Sequence, residues 1–388
     1  MCYAELDHMG PRPVHSRLAE QLESRIRQGG YQPGQRLPSE LQLARELGVS
    51  RGTLRQALAP LRDRGLIEGT PGRGTFVCSL PGLVVPGFRT AGVVVSLVAQ
   101  PHVTDLVRGV EGELRRRGYL MLMGDGGSTA GQQADRVGRL LDQGAAALIA
   151  YPIDYGPDPA LFQGLAARGV PLVLVDRYLP GLALDAVVPD NLGGAYEAVS
   201  HLVAAGHRRI AFVSTDNLAT TSVAERLLGY RQALAAAGLP FDPDLVFDTL
   251  PVSRTWPADD ELASQTPARI ARFLERVAPT AVFALHDRLA VDVYRAAALR
   301  DLPVPAALSV IGFDDDPVSQ AVSPRLSTVA QPREEMGRLA AALVVDRLEG
   351  RRVDVARIVL PARLVIREST APAAAVTAAD QVRRPARG

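Results

Sequence analysis

The stretch that most constrains this chain is Arg36 to Val77, RLPSELQLARELGVSRGTLRQALAPLRDRGLIEGTPGRGTFV. Ser39 stands three residues before Gln42, and a Ser-x-x-Gln box satisfies two of the orphan N–H groups at a helix start. The helix it opens is short, because Gly48 supplies a C′ position where left-handed backbone costs glycine nothing. Val49 turns the chain, and Ser50 is placed to cap a second helix beginning at Arg51. Leu54, Ala57, Leu58 and Leu61 repeat at i, i+3, i+4 and i+7 and form the buried stripe of that helix. Arg51, Thr53, Arg55 and Gln56 are left at its N-terminal end, mostly off the stripe. Two short helices joined by a glycine turn, the second presenting polar residues at its start, make a helix-turn-helix, which lays its second helix in the DNA major groove.

Two short β-prone runs follow, Leu66-Ile67-Glu68 and Thr75-Phe76-Val77, around Gly69-Thr70-Pro71-Gly72-Arg73-Gly74. They predict a hairpin whose glycine tip lets backbone lie close to a partner, with Arg73 projecting from it. A helix-turn-helix followed by such a hairpin is a winged helix. The segment resembles the GntR-type DNA-binding domain over its whole length. The matching residues are Pro33-Gly34, Arg36-Leu37-Pro38-Ser39-Glu40, Leu43-Ala44, Val49-Ser50-Arg51, Thr53, Arg55, Ala57-Leu58, Leu61, Gly65-Leu66 and Gly72 to Val77. The resemblance implies that Arg36 and Ser39 sit on phosphate, that Ser50, Arg51, Thr53, Arg55 and Gln56 lie in or against the major groove, and that Arg73 and Gly74 act from the wing. Pro60 departs from a regular recognition helix. It removes the bond to the Gln56 carbonyl, a loss of roughly 3 kcal/mol in a helix interior, so a kink or an early 3₁₀ ending is expected there.

Composition narrows the function classes. All 43 basic residues are arginine, and a chain without lysine has no Schiff base, no P-loop lysine and no lysine general base. The formal net charge of +1 argues against a chain that coats nucleic acid indiscriminately, while leaving room for a local basic surface. Cys2 and Cys78 are too few for a disulfide framework or a metal site, and the six histidines are scattered. The N-terminus carries no charged region followed by an apolar run, and no apolar stretch approaches the roughly 18 residues of a membrane helix. The expectation is a soluble cytoplasmic protein with no cofactor, no metal and no membrane contact.

Residues 1–12 read as a disordered lead-in and 13–78 as the winged-helix head, whose first helix carries Leu18, Leu22 and Ile26 on one face. Residues 79–90, with Pro81-Gly82 and Pro86-Gly87, read as a linker without a helical stripe. From Ala91 the pattern becomes strand and helix in alternation. Apolar runs at Gly92–Val98, Tyr119–Met123, Ala145–Tyr151 and Val170–Asp176 are separated by amphipathic segments, and a similar series starts at Arg209–Val213 and continues through Ala281–Leu285 to Ser309–Phe313. The fold class expected is a winged helix-turn-helix (α+β) joined to an α/β core of two doubly wound parallel-sheet subdomains. Ligands of such sheets bind at the carboxyl ends of the strands.

The order of landmarks from Ala91 to Ser369 is similar to the LacI-type regulatory core, a relative of periplasmic sugar-binding proteins. These landmarks are Arg117-Gly118-Tyr119, Val175-Asp176-Arg177, Val188-x-Asp190-Asn191-x-x-Gly193-Gly194, Gly206 to Ile210, Glu225-Arg226-x-x-Gly229-Tyr230, Ala284 to Ala290, Ile311 to Asp315, and Leu326 to Pro332. The resemblance implies subdomain one at about 91–188 and 331–352, and subdomain two at about 189–330 and 353–369, with crossings near Pro189, Gln331 and Val353 and a disordered tail at 370–388. It also implies an effector site. Arg226 would fork onto sugar hydroxyls, Asp314 at the end of an apolar strand would accept two hydroxyl protons, and Gln331 would donate and accept at a crossing. Arg177 and Asp190 complete the implied set, although Asp190 is equally well placed to cap the following helix. His286 stands where the family pattern usually has Asn, which makes the effector less transferable. Trp256, in a stretch read as the polar loop Ser253 to Thr266, is placed either to stack on a sugar face or to cap that loop.

Three function classes compete. A regulator joins a DNA head to a ligand core and needs no catalytic residues. GntR-type heads are also found fused to aminotransferase-like enzymes that hold pyridoxal phosphate on a lysine, which this chain lacks. A binding protein serving a transporter would need export. The expected function is a sequence-specific transcriptional repressor, similar in plan to the arabinose repressors, that binds operator DNA as a homodimer and is released by a sugar. A corepressor-dependent repressor or an activator of the same architecture is the alternative.

Overall fold

The computed structural model describes residues 13–27, 30–31, 34–63, 66–70, 74–77, 89–96, 101–153, 158–250, 260–352 and 354–373. They form two compact units, a head up to Arg89 and a core that begins at Thr90. In the head, α1 (Val14–Arg27), α2 (Glu40–Glu46) and α3 (Arg51–Asp63) precede a hairpin of β1 (Ile67–Thr70) and β2 (Gly74–Val77). Leu18, Leu22 and Ile26 of α1 pack with Leu43 of α2 and with Leu54, Ala57, Leu58 and Leu61 of α3. The capping box forms, with Gln42 N–H donating to Ser39 Oγ at 3.3 Å and Ser39 N–H to Gln42 Oε1 at 3.1 Å. Gly48 takes φ +65° after α2. The expected break at Pro60 does not occur, since α3 runs through it to Asp63. Leu61 is buried in the head core and its carbonyl accepts from Leu66 N–H at 2.9 Å, so tertiary packing holds the last turn despite the missing bond.

The first core sheet is built from β3 (Arg89–Val95), α4 (Pro101–Arg116), β4 (Tyr119–Asp125), α5 (Ala130–Asp142), β5 (Leu148–Ala150), α6 (Pro159–Ala167), β6 (Leu172–Val175) and β7 (Asp185–Pro189). The chain then enters the second sheet through α7 (Asn191–Ala204), β8 (Ile210–Thr215), α8 (Thr221–Ala236), β9 (Val246–Leu250), α9 (Asp260–Val277), β10 (Ala281–Ala284), α10 (Asp287–Ala298), β11 (Ser309–Ile311), α11 (Val318–Ala321) and β12 (Thr328–Ala330). It closes with α12 (Arg333–Leu348), β13 (Arg357–Leu360) and β14 (Arg363–Val365). The first sheet has the order β13-β7-β6-β5-β3-β4, with parallel pairing from β13 to β3. The second has the order β11-β10-β8-β9 and is parallel throughout. Strands buried on both faces read as continuous apolar runs. Val93, Val95, Ile149, Val173 and Val175 face α4 and α12, while Val94, Leu148, Ala150, Leu172 and Leu174 face the opposite core with Val137 of α5 and Phe162 of α6. The helices α4 and α12 approach at backbone distance. A Cβ on Gly337 would run into the Leu106 carbonyl, and one on Gly109 into the Glu334 carbonyl.

Four expectations need correction. The third crossing is not near Val353, because β13 pairs in register with β7 of the first sheet. The chain leaves that sheet after Leu360, and β14 pairs with β12. Its carboxylate-lined end fixes this, as Asp185 Oδ1 accepts from Ala356 N–H at 2.7 Å and both oxygens take Arg347, holding 356–360 to subdomain one. The tail expected from 370 begins packed. Ala371 N–H donates to Ser309 Oγ at 3.1 Å and Ala373 N–H to the Ala205 carbonyl at 2.8 Å. The stretch read as the loop Ser253 to Thr266 becomes helix at Asp260, where the apolar face of α9, with Ile270, Phe273 and Leu274, docks into the second core. The linker expected at 79–90 already lies in β3 at Arg89 and Thr90, held there because Thr90 O accepts from Ala146 N–H at 2.9 Å. The lead-in 1–12, Arg73, the linker residues 79–88, Trp256 and 374–388 lie outside the described residues.

Candidate functional site

In the head, the described residues expected to meet DNA lie at the start of α2, on α3 and beside the hairpin. Ser50 Oγ accepts from Thr53 N–H at 3.1 Å and lies 2.9 Å from Thr53 Oγ1, which fixes the first turn of α3. Arg51, Arg55 and Gln56 are exposed on that helix, and Ser39 and Arg36 are exposed beside it. Arg55 Nε donates to Glu40 Oε2 at 2.7 Å, and Arg51 lies 4.0 Å from the same oxygen. An exposed ion pair of this kind contributes about 0–1 kcal/mol, so both arginines are readily given up to a phosphate or a guanine edge. Arg36 is bridged to Phe76 of β2, and Leu37 N–H donates to Thr75 O at 2.8 Å. Gly74 has φ +113°, and a Cβ there would lie 2.5 Å from Arg36 Nε. That glycine therefore lets the Arg36 side chain lie along the wing.

In the core, charged side chains gather where the carboxyl ends of both sheets meet. Tyr151 follows β5, and Asp176 and Arg177 follow β6. Arg177 donates to Tyr151 Oη at 2.9 Å and to Asp176 Oδ2 at 3.1 Å, with its guanidinium 4.7 Å from the Tyr151 ring centre. From the second sheet, Arg226 of α8 donates through Nε to Asn191 Oδ1 at 3.0 Å and through Nη1 to Leu285 O at 2.6 Å. Its Nη2 lies 3.5 Å from Asp314 Oδ1, and the guanidinium stacks 3.7 Å from the centre of Phe313. Gln331 Nε2 donates to Asp314 Oδ1 at 2.5 Å, while Gln331 Oε1 is buried with no hydrogen-bond partner. Arg333, which opens α12 on the subdomain-one side, donates to the Asp314 carbonyl and lies 3.1 Å from Asp316 Oδ1. A second tie runs alongside, where Tyr178 Oη donates to Glu225 Oε1 at 2.9 Å and Asn191 Nδ2 to Glu225 Oε2 at 3.4 Å.

Electrostatics in this cluster are set by burial. Asp176 is pushed up to about 6 because burial disfavours its carboxylate, with the Tyr151 hydroxyl and then Arg226 opposing. Burial pulls Arg226 below the ordinary arginine value, against the pull of Asp314 and Asp176. His286 is held down to about 4 by burial, against Asp314 and with Arg226, so it is neutral at pH 7. Its Nδ1 accepts from Leu289 N–H at 3.1 Å and caps α10, a task to which an Asn side chain is equally suited. Asp287 beneath it is raised well above the ordinary value by burial and by Asp314, and it accepts from Thr328 Oγ1 and from Asp316 N–H. Asp176 and Asp314 hold positive φ, +68° and +114°, a backbone strain of about 1–3 kcal/mol each that clusters at ligand sites.

Of the residues expected at the effector site, Arg177, Arg226, His286, Asp314 and Gln331 come together. Asp190 is turned to another task, its Oδ1 accepting from Gly193 N–H at 2.7 Å as the cap of α7. Sequence reasoning missed Tyr151, Asp176, Asn191, Glu225 and Arg333. Asp176 carried the same signal as Asp314, an acid ending an apolar strand. Arg333 carried none, since only the α12 crossing brings it beside Asp314 and Asp316. Among the described residues no helix is long and apolar enough to cross a membrane.

Comparison with known proteins agrees with both units. Residues 15–77 match the family described as bacterial regulatory proteins, gntR family, and residues 199–370 match the periplasmic binding protein-like domain. The arabinose metabolism transcriptional repressor of Geobacillus stearothermophilus is 28% identical, over 92% of this chain and 98% of its own. The HTH-type transcriptional regulator CelR of Thermobifida fusca is 34% identical, over 74% of this chain and 83% of its own. A LacI family transcriptional regulator from Enterococcus faecium, solved with bound ribose, superposes with a TM-score of 0.61 at 29% identity, covering 73% of this chain and 99% of that one.

Proposed function

This chain belongs to the bacterial transcriptional regulators that join a GntR-family head to a periplasmic-binding-protein-like core, and from that premise we propose that it is a cytoplasmic repressor released from its operator by a sugar. The observation that carries the sugar reading is the buried cluster of Arg226, Asp314 and Gln331, hydrogen-bonding groups with donor and acceptor atoms at the junction of two sheets. The bound ribose of the similar Enterococcus faecium regulator supports the same class of ligand. Nothing in this function requires catalysis, and we read the chain as a non-enzyme. One winged helix covers little DNA, so we infer a homodimer on paired half-sites, whose spacing follows the DNA helical repeat. The effector acts by binding one arrangement of the two subdomains better than the other, because equal affinity shifts nothing. Arg177, Arg226, His286, Asp314 and Gln331 would line the site, joined by Tyr151, Asp176 and Arg333.

The test is a thermal-shift screen of the purified protein against pentoses, hexoses and small disaccharides, followed by gel shifts on the operator with any hit titrated in. Couplings of this kind run about 1–3 kcal/mol, or roughly 5–150-fold in operator affinity. Release by the stabilising sugar is the expected result. Tightening on the operator would make the ligand a corepressor, and stabilisation without any change in DNA binding would sink the coupling.

A further inference from the structure

We propose that the junction of the two core sheets takes an uncharged polyhydroxyl ligand and discriminates against phosphorylated or carboxylated ones, an inference that rests on the sugar reading above and narrows its class. The charges that line the junction are matched in pairs. Arg177 is paired with Asp176 at 3.1 Å, Arg226 with Asp314 at 3.5 Å, and Arg333 with Asp316 at 3.1 Å. None of these six side chains is more than 14% exposed, so each guanidinium already has its counter-charge inside the protein. Anion sites are built the other way, from guanidinium groups or N–H donors whose negative partner is the ligand itself.

Among the described residues, the buried groups around the cluster do not supply a spare positive charge. Arg226 spends two further donors on Asn191 and on the Leu285 carbonyl. His286 is neutral at pH 7, and its Nδ1 is occupied as an acceptor by Leu289 N–H. Arg288 is half-buried, with Asp292 and Asp316 as its acidic neighbours. Arg357 stacks on Tyr178, whose hydroxyl donates to Glu225, and Arg367 is paired with Asp315 at 2.6 Å. Among the described residues, the helix N-termini of the second subdomain and of α12 offer little substitute, α12 having no side-chain cap but two acids, Glu334 and Glu335, in its first turn. Asp190 caps α7 and His286 caps α10. The first turn of α8 has no side-chain cap, but Thr221 in that turn exchanges hydrogen bonds with the backbone of Tyr178, and Glu225 follows one turn later.

What the cluster leaves unmet is a buried acceptor. Gln331 Oε1 is buried and unpartnered, because the amide's other end donates to Asp314. Carboxylates are acceptors only, so Asp176, Asp314 and Asp316 add to the same demand. A sugar hydroxyl brings a proton to such an acceptor, whereas a phosphate dianion brings none and would be stripped of water beside guanidinium groups whose charge is already matched. A cationic ligand meets the same balance, since the three carboxylates are already matched by arginine.

The experiment is isothermal titration of the full-length protein with matched pairs: arabinose and arabinose 5-phosphate, ribose and ribose 5-phosphate, glucose and glucose 6-phosphate. Inorganic phosphate is a separate arm. The expected result is a neutral sugar that binds while its phosphate ester binds about tenfold or more weakly, with inorganic phosphate giving no saturable heat. An ester that binds as tightly as its parent, or saturable phosphate binding, overturns the inference and leaves the sugar reading standing. An uncharged non-sugar that binds and releases operator does the reverse. Asp316→Asn removes the counter-charge of Arg333 at constant size and should narrow the ester's disadvantage severalfold, and Asp314→Asn should do the same through Arg226. Both variants are checked for a wild-type circular dichroism spectrum, and a ratio unchanged in the folded variants overturns the charge-matching argument.

Discussion

Arg226→Ala tests how far the core depends on its own effector site. The truncation removes a guanidinium that is 7% exposed and leaves Asp314, 14% exposed, without its closest cation in the second subdomain. It also strands Asn191 Oδ1 and the Leu285 carbonyl, and it uncovers one face of Phe313. Breaking a buried ion pair from one side costs about 3–5 kcal/mol, chiefly because the other charge is left unpaired. With a urea dependence of about 3 kcal/mol per molar, the unfolding midpoint should fall by roughly 1–1.7 M. Asp314→Asn attacks the same pair from the other side, and Asn tolerates the positive φ that Asp314 adopts. The double variant has no stranded charge, so it should be less destabilised than the sum of the singles by about 1–3 kcal/mol. Urea unfolding followed by circular dichroism gives all four corners of the cycle. Free energies that add to within about 0.5 kcal/mol would refute the pairing and leave Arg226 as a packing residue. In gel shifts at low temperature the folded Arg226→Ala protein should hold operator normally and ignore the effector. Release at the same sugar concentration as wild type would move the site elsewhere.

Three further outcomes are expected. Arg51→Ala should abolish operator preference, with about 1–3 kcal/mol of discrimination lost if Arg51 grips a guanine, while Arg36→Ala should weaken binding on every sequence and flatten its salt dependence; footprinting across a salt series separates the two. Gly337→Ala forces a methyl against the Leu106 carbonyl, so the core should lose about 1–3 kcal/mol in urea unfolding, and a neutral result would mean that α4 and α12 slide apart without cost. His286→Asn concerns pH. The folded His286 is held down to about 4 while the unfolded side chain titrates near 6.5, so between those values the unfolded state binds more protons and wild-type stability falls on acidification. The buried Asp176, raised to about 6, acts in the opposite sense over the same window. The Asn variant loses the His286 contribution and keeps those of the other titrating groups, Asp176 and Asp316 among them, so it should lose less stability than wild type from pH 6.5 to pH 4; parallel pH profiles would refute the buried neutral imidazole.

The head was legible in fine detail because its signals are local. Ser39, Gly48 and Ser50 act on backbone groups within a few residues, and the stripe Leu54, Ala57, Leu58 and Leu61 needs only helical periodicity to be placed. Pro60 was misjudged for the complementary reason. Its local cost is real, but the burial of Leu61 against α1 is a tertiary term that propensity does not contain. The start of α9 was read as loop on the same grounds, since Asp260 to Thr266 look polar until Ile270 and Phe273 dock further along the helix.

In the core, apolar runs are enough to place most strands, their parallel two-sheet class and the acid Asp314 at the end of one of them. Continuous Val, Leu and Ala runs are what a sheet covered on both faces requires, and Asp314 was visible at the end of such a run. Which of these residues meet is set by packing between distant segments. Asp176 and Asp314 lie 138 positions apart in the chain numbering and become neighbours because two parallel sheets present their carboxyl ends to one junction. Arg333 joins them through the crossing into α12, β13 returns to the first sheet instead of crossing at Val353, and Asp190 is withdrawn to cap α7. These choices depend on register and on which charge can be matched when water is removed, and both are properties of contacts between segments that no single segment carries.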